Sequence, residues 1–335
     1  MPTSKTTDRR SFVKGAMLLP TTLAGALGAR SALAQAAYPS RDIRVICNYP
    51  AGSGADIITR WFSAKLGDIA RQTVIVDNKV GAAGNIATEF AARAKPDGYT
   101  LLLTPAFTTM AGARHLFKAL PFDPIKDFVP ITTTCAAPFI LVTDPKKGYK
   151  TLADLTAALK AKPKGKAGYG TVTNTATAAS EMYGAAIGVE FLKVLYRSTP
   201  EAANDMNQGQ LDFVISDAGS AMEDIRGGKL TALAWTTDYR PEVLPNVPTF
   251  IESGYKDISM LAWWGLFAPA GTPQAVVDQN ATWWNQIVAM PETKKFFNTM
   301  SVEVLPGDAR KLKDLLDKGL KDWELFVKVG KIEPT

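Results

Sequence analysis

A chain of 335 residues, 46% of them hydrophobic, is long enough to build two cores. Its one histidine, His115, excludes the metal and triad chemistries that need clustered imidazole or thiolate groups. The formal charge of +6 does not mark a nucleic-acid partner: the first 36 residues carry +4 of it, and no basic run with interleaved aromatics follows.

Residues 1–36 read as a twin-arginine export signal. Arg9-Arg10 precede Phe12 and Lys14, then a mildly apolar stretch runs from Gly15 to Ala29. Two small-x-small cleavage patterns follow, Ala32-Leu33-Ala34 and Ala34-Gln35-Ala36. Pro20, Thr21 and Thr22 break the apolar run before it reaches the ~20 residues a membrane span needs. The expected location is the periplasm.

From Arg41 apolar strands alternate with amphipathic helices. "DIRVICNYP" reads as a strand, "ADIITRWFSAKLGDIARQ" as a helix, "TVIVDNK" as a strand, "GNIATEFAARAKP" as a helix and "YTLLLTP" as a strand. This spacing predicts βαβ units and a parallel sheet. "LPFDPIKDFVPITTTCAAPFILVTDPKKG", with five prolines, reads as a crossover between domains. A second α/β pattern runs from "TLADLTAALKAKP" to the strand "LTALAWTTD", and "LPNVPTFIESGYKDISMLAWWGLFAPAGTP" is the return crossover. The tail reads as two helices, "PQAVVDQNATWWNQIVAM" and "DARKLKDLLDKGLKDWELFVKVG". The expected organisation is a discontinuous domain, 37–138 plus 257–335, with a second domain, 139–256, inserted into it. Two connecting segments favour hinge closure around a cleft. Cys47 and Cys135 are either small buried residues or a pair in an oxidising compartment.

The turn "YPAGSGAD" joins the first strand to the first helix. It fails three motifs. The third glycine of a dinucleotide fingerprint is Ile57, no lysine follows Gly54, and Ala51 and Ala55 replace the glycines of a nucleophile elbow around Ser53. What survives is a set of N–H groups and a hydroxyl at the positive end of a helix, which suits an anion. The same device recurs at Gly81, Gly84 and Asn85, and after the third strand at Thr104, Thr108 and Thr109. The second domain adds Thr171, Thr173, Asn174, Thr175 and Thr177, then Ser198 and Thr199. Asp56, at a helix start, reads as a dipole cap. Asp217 ends a strand and serves either a ligand donor or the next helix as a cap; Arg197 either pairs with an anion or is solvated. Of Trp263 and Trp264, one is expected in the core and the other near the cleft.

The chain resembles the Bug/TctC family of periplasmic solute-binding proteins that serve tripartite tricarboxylate transporters. "YPAGSGADIITR", "VDNKVGAAGNIATEFAARAKPDGYTLLL", "LPFDPIKDFVPIT", "GKLTALAWTT", "LPNVPTFIESGY" and "WWGLFAPAGTP" carry the resemblance nearly end to end. It implies a two-lobed α/β Venus-flytrap fold of type II-like form, with two crossover hinge strands. It implies a monomer without cofactor that captures a small organic carboxylate and presents it to a membrane permease. Carried over, the ligand residues are Tyr49, Ala51, Gly52, Ser53, Asp56, Gly84, Asn85, Thr104 and Thr108 in lobe one. In lobe two they are Thr171, Asn174, Thr177, Ser198, Thr199 and Asp217. Lobe two departs from the pattern. "YGTVTNTATAASE" is shorter than the family loop and puts Thr177 where a histidine is common; Leu195-Tyr196-Arg197-Ser198 replaces the common "PYKG". No substrate such as citrate carries over. The other class of reading is an exported dinucleotide oxidoreductase with Asp77 on a ribose, which the missing third glycine opposes. A binding protein turned sensor partner is a third.

Overall fold

The computed structural model describes residues 38–335, so the export signal lies outside the described residues. The first part of the chain forms β1 (Ile43–Cys47), α1 (Gly54–Ala70), β2 (Val74–Asn78), α2 (Asn85–Ala92), β3 (Thr100–Thr104) and a short α3 (Ala113–Leu116). A long β4 (Phe128–Thr143) leads into α4 (Leu152–Ala161), β5 (Gly168–Thr171), α5 (Asn174–Ile187), β6 (Leu192–Leu195), α6 (Thr199–Asn207), β7 (Phe213–Asp217), α7 (Ala218–Arg226) and β8 (Thr231–Trp235). β9 (Leu261–Pro269) returns, followed by α8 (Gln274–Ala289), α9 (Pro291–Thr299), β10 (Glu303–Val304) and α10 (Ala309–Val329).

The strands join in the order β2-β1-β3-β9-β4-β7-β5-β6, with β8 and β10 also pairing β4. β1 pairs β2 and β3 in parallel, as the βαβ spacing predicts, and β5 pairs β6 and β7 in parallel. The two parallel groups meet only through β9 and β4. β4 pairs β9 over its first part, as far as Pro138↔Leu261, and β7 from Phe139↔Asp217 onward. Strand ends that carry the loops therefore come from both groups.

α1 shows why these residues make this helix. The Ser53 hydroxyl accepts from the Asp56 N–H, the N-cap bond that frees a helix start from water. Ile58, Phe62 and Leu66 recur every four residues and are buried. Phe62 stacks on Trp284 of α8 at 5.1 Å and meets Phe297 of α9 edge-on at 5.5 Å. α10 buries Leu312, Leu316, Gly319, Trp323 and Phe326, a spacing of four and three that keeps one face inward. Trp323 donates its indole N–H to the Phe107 carbonyl at 2.7 Å. α10 thereby fixes the segment after β3.

Several boundaries differ from the sequence reading. The crossover is one 16-residue strand, β4, and not two runs broken by prolines. Pro130 stands at the first of two register shifts against β9, where a residue that cannot donate is tolerated, and Pro138 stands where β4 passes from β9 to β7. "TPAFTTM" is not an open loop: Phe107–Gly112 wind into a π-helical turn, a form that recurs at functional sites. The tail holds a further helix, α9, and the short β10. Trp263 and Trp264 are 3% and 6% exposed and enter different hydrophobic clusters, because neighbours on a strand face opposite ways. Neither reaches a cleft. Cys47 and Cys135 are free and buried. β3 and β9 lie between their strands. Three inter-strand spacings make about 14 Å, beyond the ~7 Å Cα limit of a disulfide.

Candidate functional site

The turn after β1 is ordered by Asp56. Its carboxylate is buried and accepts from the Gly52 N–H at 2.8 Å, Arg60 Nε at 2.8 Å and Asn78 Nδ2 at 2.7 Å. Burial pushes this carboxyl up, but the hydrogen bonds from Arg60, Gly52 and Asn78 and the Arg60 charge outweigh it and hold it below its ordinary value. Ser53 donates to the Pro50 carbonyl at 2.7 Å while it caps α1. Ile57 N–H bonds the Ser53 carbonyl. The N–H groups of Gly54 and Ala55 are what the helix start leaves for an anion.

The turn before α2 is tightly wound. Gly81, Ala82, Ala83 and Gly84 all have positive φ, which is strained for the two alanines. Gly84, at φ +99°, has a second reason to be glycine. A Cβ there would stand 2.5 Å from Asn48 Nδ2. Asn48 is 4% exposed, and neither of its side-chain polar atoms has a hydrogen-bond partner. Asn85, the first residue of α2, is 6% exposed with Oδ1 unpartnered. Asn78 also donates to the Tyr49 carbonyl, tying this turn to the first. The Thr104 and Thr109 hydroxyls bond each other at 2.7 Å, and Thr109 donates to the Pro105 carbonyl.

The other half answers with hydroxyls that satisfy one another. Thr173 caps α5 by accepting from the Ala176 N–H. Thr171 and Thr177 hydroxyls lie 3.0 Å apart, and each can donate to the Thr173 carbonyl. Thr199 shares a 3.0 Å bond with Ser216, which also reaches the Asp217 carbonyl. Ser198 caps α6. Asp217 caps α7 through the Ser220 N–H and hydroxyl, so its helix-cap reading is the one realised.

At these turns the Thr108 and Thr175 hydroxyls meet across the halves at 2.9 Å; elsewhere Tyr239 donates to Glu303 and Lys294 pairs with Glu242. A further observation brings the same ends together. Gly219, at the start of α7, is crowded by the Met300 carbonyl, 2.5 Å from where a Cβ would be, and Met300 Cε approaches Gly54.

The structure thus brings together Tyr49, Ala51, Gly52, Ser53, Asp56, Gly84, Asn85, Thr104 and Thr108 from one half. From the other, Asn174 and Thr177 share α5 with Thr175, which bonds Thr108, and Thr171 bonds Thr177. Thr199, beside Ser198, bonds Ser216, whose neighbour Asp217 caps α7. Asp56, Ser53 and Asp217 spend their side chains holding helix starts. Arg197 is exposed. Asn48, Thr109 and Thr175 were not among the carried-over residues. Asn48 had one signal, a polar residue closing an apolar strand directly before Tyr49. Two surface depressions of about 530 and 600 Å³, one beside Arg41 and Tyr99 and one beside Tyr255 and Leu325, lie away from these turns. Among the described residues no group of three His, Cys, Asp or Glu side chains could hold a metal.

Two α/β halves joined by β4 and β9, with helix starts facing each other, define a two-lobed solute-binding protein. The family model of the tripartite tricarboxylate transporter family receptor, TctC, matches residues 58–331. The chain belongs to this Bug/TctC family of periplasmic receptors. A curated relative from Pseudomonas sp. (strain P51), the UPF0065 protein in the tcbD-tcbE intergenic region, is 30% identical over 98% of this chain and 97% of its own length. The periplasmic binding protein BugD superimposes with a TM-score of 0.74 at 28% identity, over 89% of this chain and 100% of its own. R. palustris Rpa4515, solved with adipate, gives a TM-score of 0.76 at 23% identity over 89% and 100% and shows the fold alone.

Proposed function

We propose that this protein is an exported periplasmic receptor that holds a small organic carboxylate between its halves and delivers it, chemically unchanged, to a tripartite tricarboxylate transporter. It acts as a monomer without cofactor. The observation that carries this is the Thr108–Thr175 bond, which ties the turn after β3, packed against Gly84 at the start of α2, to the start of α5. Helix N-termini present free N–H groups and positive dipole ends, each worth about 0.3–1 kcal/mol to an anion. No arginine or lysine is offered to a ligand there. Arg60, the nearest cation on α1, is bonded to Asp56 and Asn78. Neutral donors let a carboxylate bind and leave without breaking an ion pair.

The partner change of β4 at Pro138–Phe139 supports placing the first domain boundary there, with 37–138 plus 257–335 as lobe one and 139–256 as lobe two. Lobe one docks the carboxylate. β4 and β9 flex, and lobe two completes the hydrogen bonds. Ligand must favour the closed arrangement differentially to drive this.

A thermal-shift screen over aliphatic and aromatic carboxylates tests the reading. A ligand at a hundred times its Kd adds about 2.7 kcal/mol, a visible rise in Tm. Stabilisation by sugars or cations alone sinks it, as does a stoichiometric flavin or nicotinamide chromophore in the purified protein.

A further inference from the structure

We infer that Asn48 and Asn85 make this site select a carboxylate with a hydroxyl next to the carboxylate carbon over its unsubstituted counterpart; this rests on the carboxylate reading above. Both side chains are more than nine-tenths buried. Three of their polar atoms, Asn48 Nδ2, Asn48 Oδ1 and Asn85 Oδ1, have no partner in the protein. Buried amides are otherwise paired almost without exception, because an unmade bond forfeits the full desolvation of the group. The Asn48 amide lies against Gly84, one of the expected anion seats, and Asn85 follows Gly84 as the first residue of α2. The neighbouring hydroxyls are already engaged, Thr104 with Thr109 and Thr109 with the Pro105 carbonyl.

The chemistry of the unpartnered set decides the ligand. Two of the three atoms are acceptors. A carboxylate brings acceptors only, so it can take the Nδ2 donor and the free N–H groups of the helix starts, but it leaves both oxygens unmet. A hydroxyl beside that carboxylate donates to an oxygen and accepts from Nδ2 at once. An ammonium would donate as well, but a buried cation needs a carboxylate facing it. Asp56 and Asp217 are both committed to their own helix starts.

The test uses matched pairs on the purified mature protein by calorimetry: succinate and malate, glutarate and 2-hydroxyglutarate, adipate and 2-hydroxyadipate, with aspartate as the amino analogue. The hydroxy member of the best-fitting pair should bind at least about tenfold more tightly, a difference of 1.4 kcal/mol. Asn48→Leu, of similar shape, should bring that ratio towards one without lowering the Tm of the unliganded protein. Equal affinity within every pair, or aspartate above malate, overturns the inference and leaves the carboxylate reading standing. An unchanged ratio in Asn48→Leu overturns the assignment to Asn48. Binding of no carboxylate at all overturns the receptor reading itself.

Discussion

At the start of α1 one buried carboxylate, Asp56, gathers a backbone N–H, an arginine and an asparagine into a rigid turn. At the start of α5 three threonines, Thr171, Thr173 and Thr177, bond among themselves and carry no charge. The first half also holds Asn48 and Asn85 with polar atoms unmet, whereas in the second half the hydroxyls of Thr171 and Thr177, and of Thr199 and Ser216, satisfy one another. On the proposed function, the difference assigns recognition to the first half and closure to the second. Lobe one is an electrostatically braced seat with donors and acceptors to spare. Lobe two is a neutral surface that offers backbone N–H groups and one bridging hydroxyl, Thr175.

The largest effect should come from breaking the brace. Asp56→Ala leaves Gly52, Arg60 and Asn78 without their acceptor, and hydrogen bonds to a charged group are worth about 1.5–3 kcal/mol. Urea unfolding should show a loss of that order, and carboxylate affinity should fall roughly a hundredfold as the turn loosens. Because the folded Asp56 carboxyl lies below its unfolded value, its stabilisation is present above about pH 4 and is lost as pH falls through the folded value. Asp56→Asn should flatten that acid limb. An Asp56→Ala protein as stable as wild type would erase the contrast between the halves.

Ser53→Asp comes next and separates fold from function. Aspartate is as good an N-cap as serine, so stability should hold. A charge about 4 Å from a bound carboxylate opposes it by about 1–4 kcal/mol, so calorimetry should report a loss of ten- to several-hundredfold. Unchanged affinity would remove this turn from the site.

The smallest effect belongs to the neutral side. Thr175→Val removes the Thr108 bond with little change of shape, and a neutral hydrogen bond is worth about 1 kcal/mol net. Affinity should drop a few-fold with unchanged pH dependence. The double variant with Thr108→Val should be no worse than either single one if the bond is what matters. Full additivity would mean that the two hydroxyls act separately and that closure does not run through them.

Local rules reach far in this chain. Strand and helix alternation from Arg41 and the two crossovers are legible because each follows from periodicity and composition. Local reasoning also places Asp56 at a helix start and leaves Asp217 between a ligand and a helix cap; Asp56 lies in the first turn of α1 and Asp217 caps α7. Local rules fail where distant segments decide. The π-helical turn at Phe107–Gly112 exists because Trp323, more than two hundred residues later, holds the Phe107 carbonyl. β4 stays one strand through Pro130, where the pairing with β9 shifts register, and through Pro138, where its partner changes to β7. Trp263 and Trp264 read as one core and one cleft residue until two separate clusters claim them both.

The sequence by itself determined the class: an α/β chain in two halves, with small-residue turns at strand ends fit for a small anion and no histidine or thiolate cluster for catalysis. Those features are local, and spacing encodes them. Only the tertiary structure decided which polar groups remain to meet a ligand. A hydroxyl has one proton to donate: once Ser53, Thr171 and Thr177 have spent theirs on their own neighbours, none is left for a ligand's carboxylate, and an ionised Asp217 has none to give. Asn48, inconspicuous in "ICNYP", stays unpaired because Gly84 packs on it and Thr109 is already bonded elsewhere. That residue sets the question the ligand must answer.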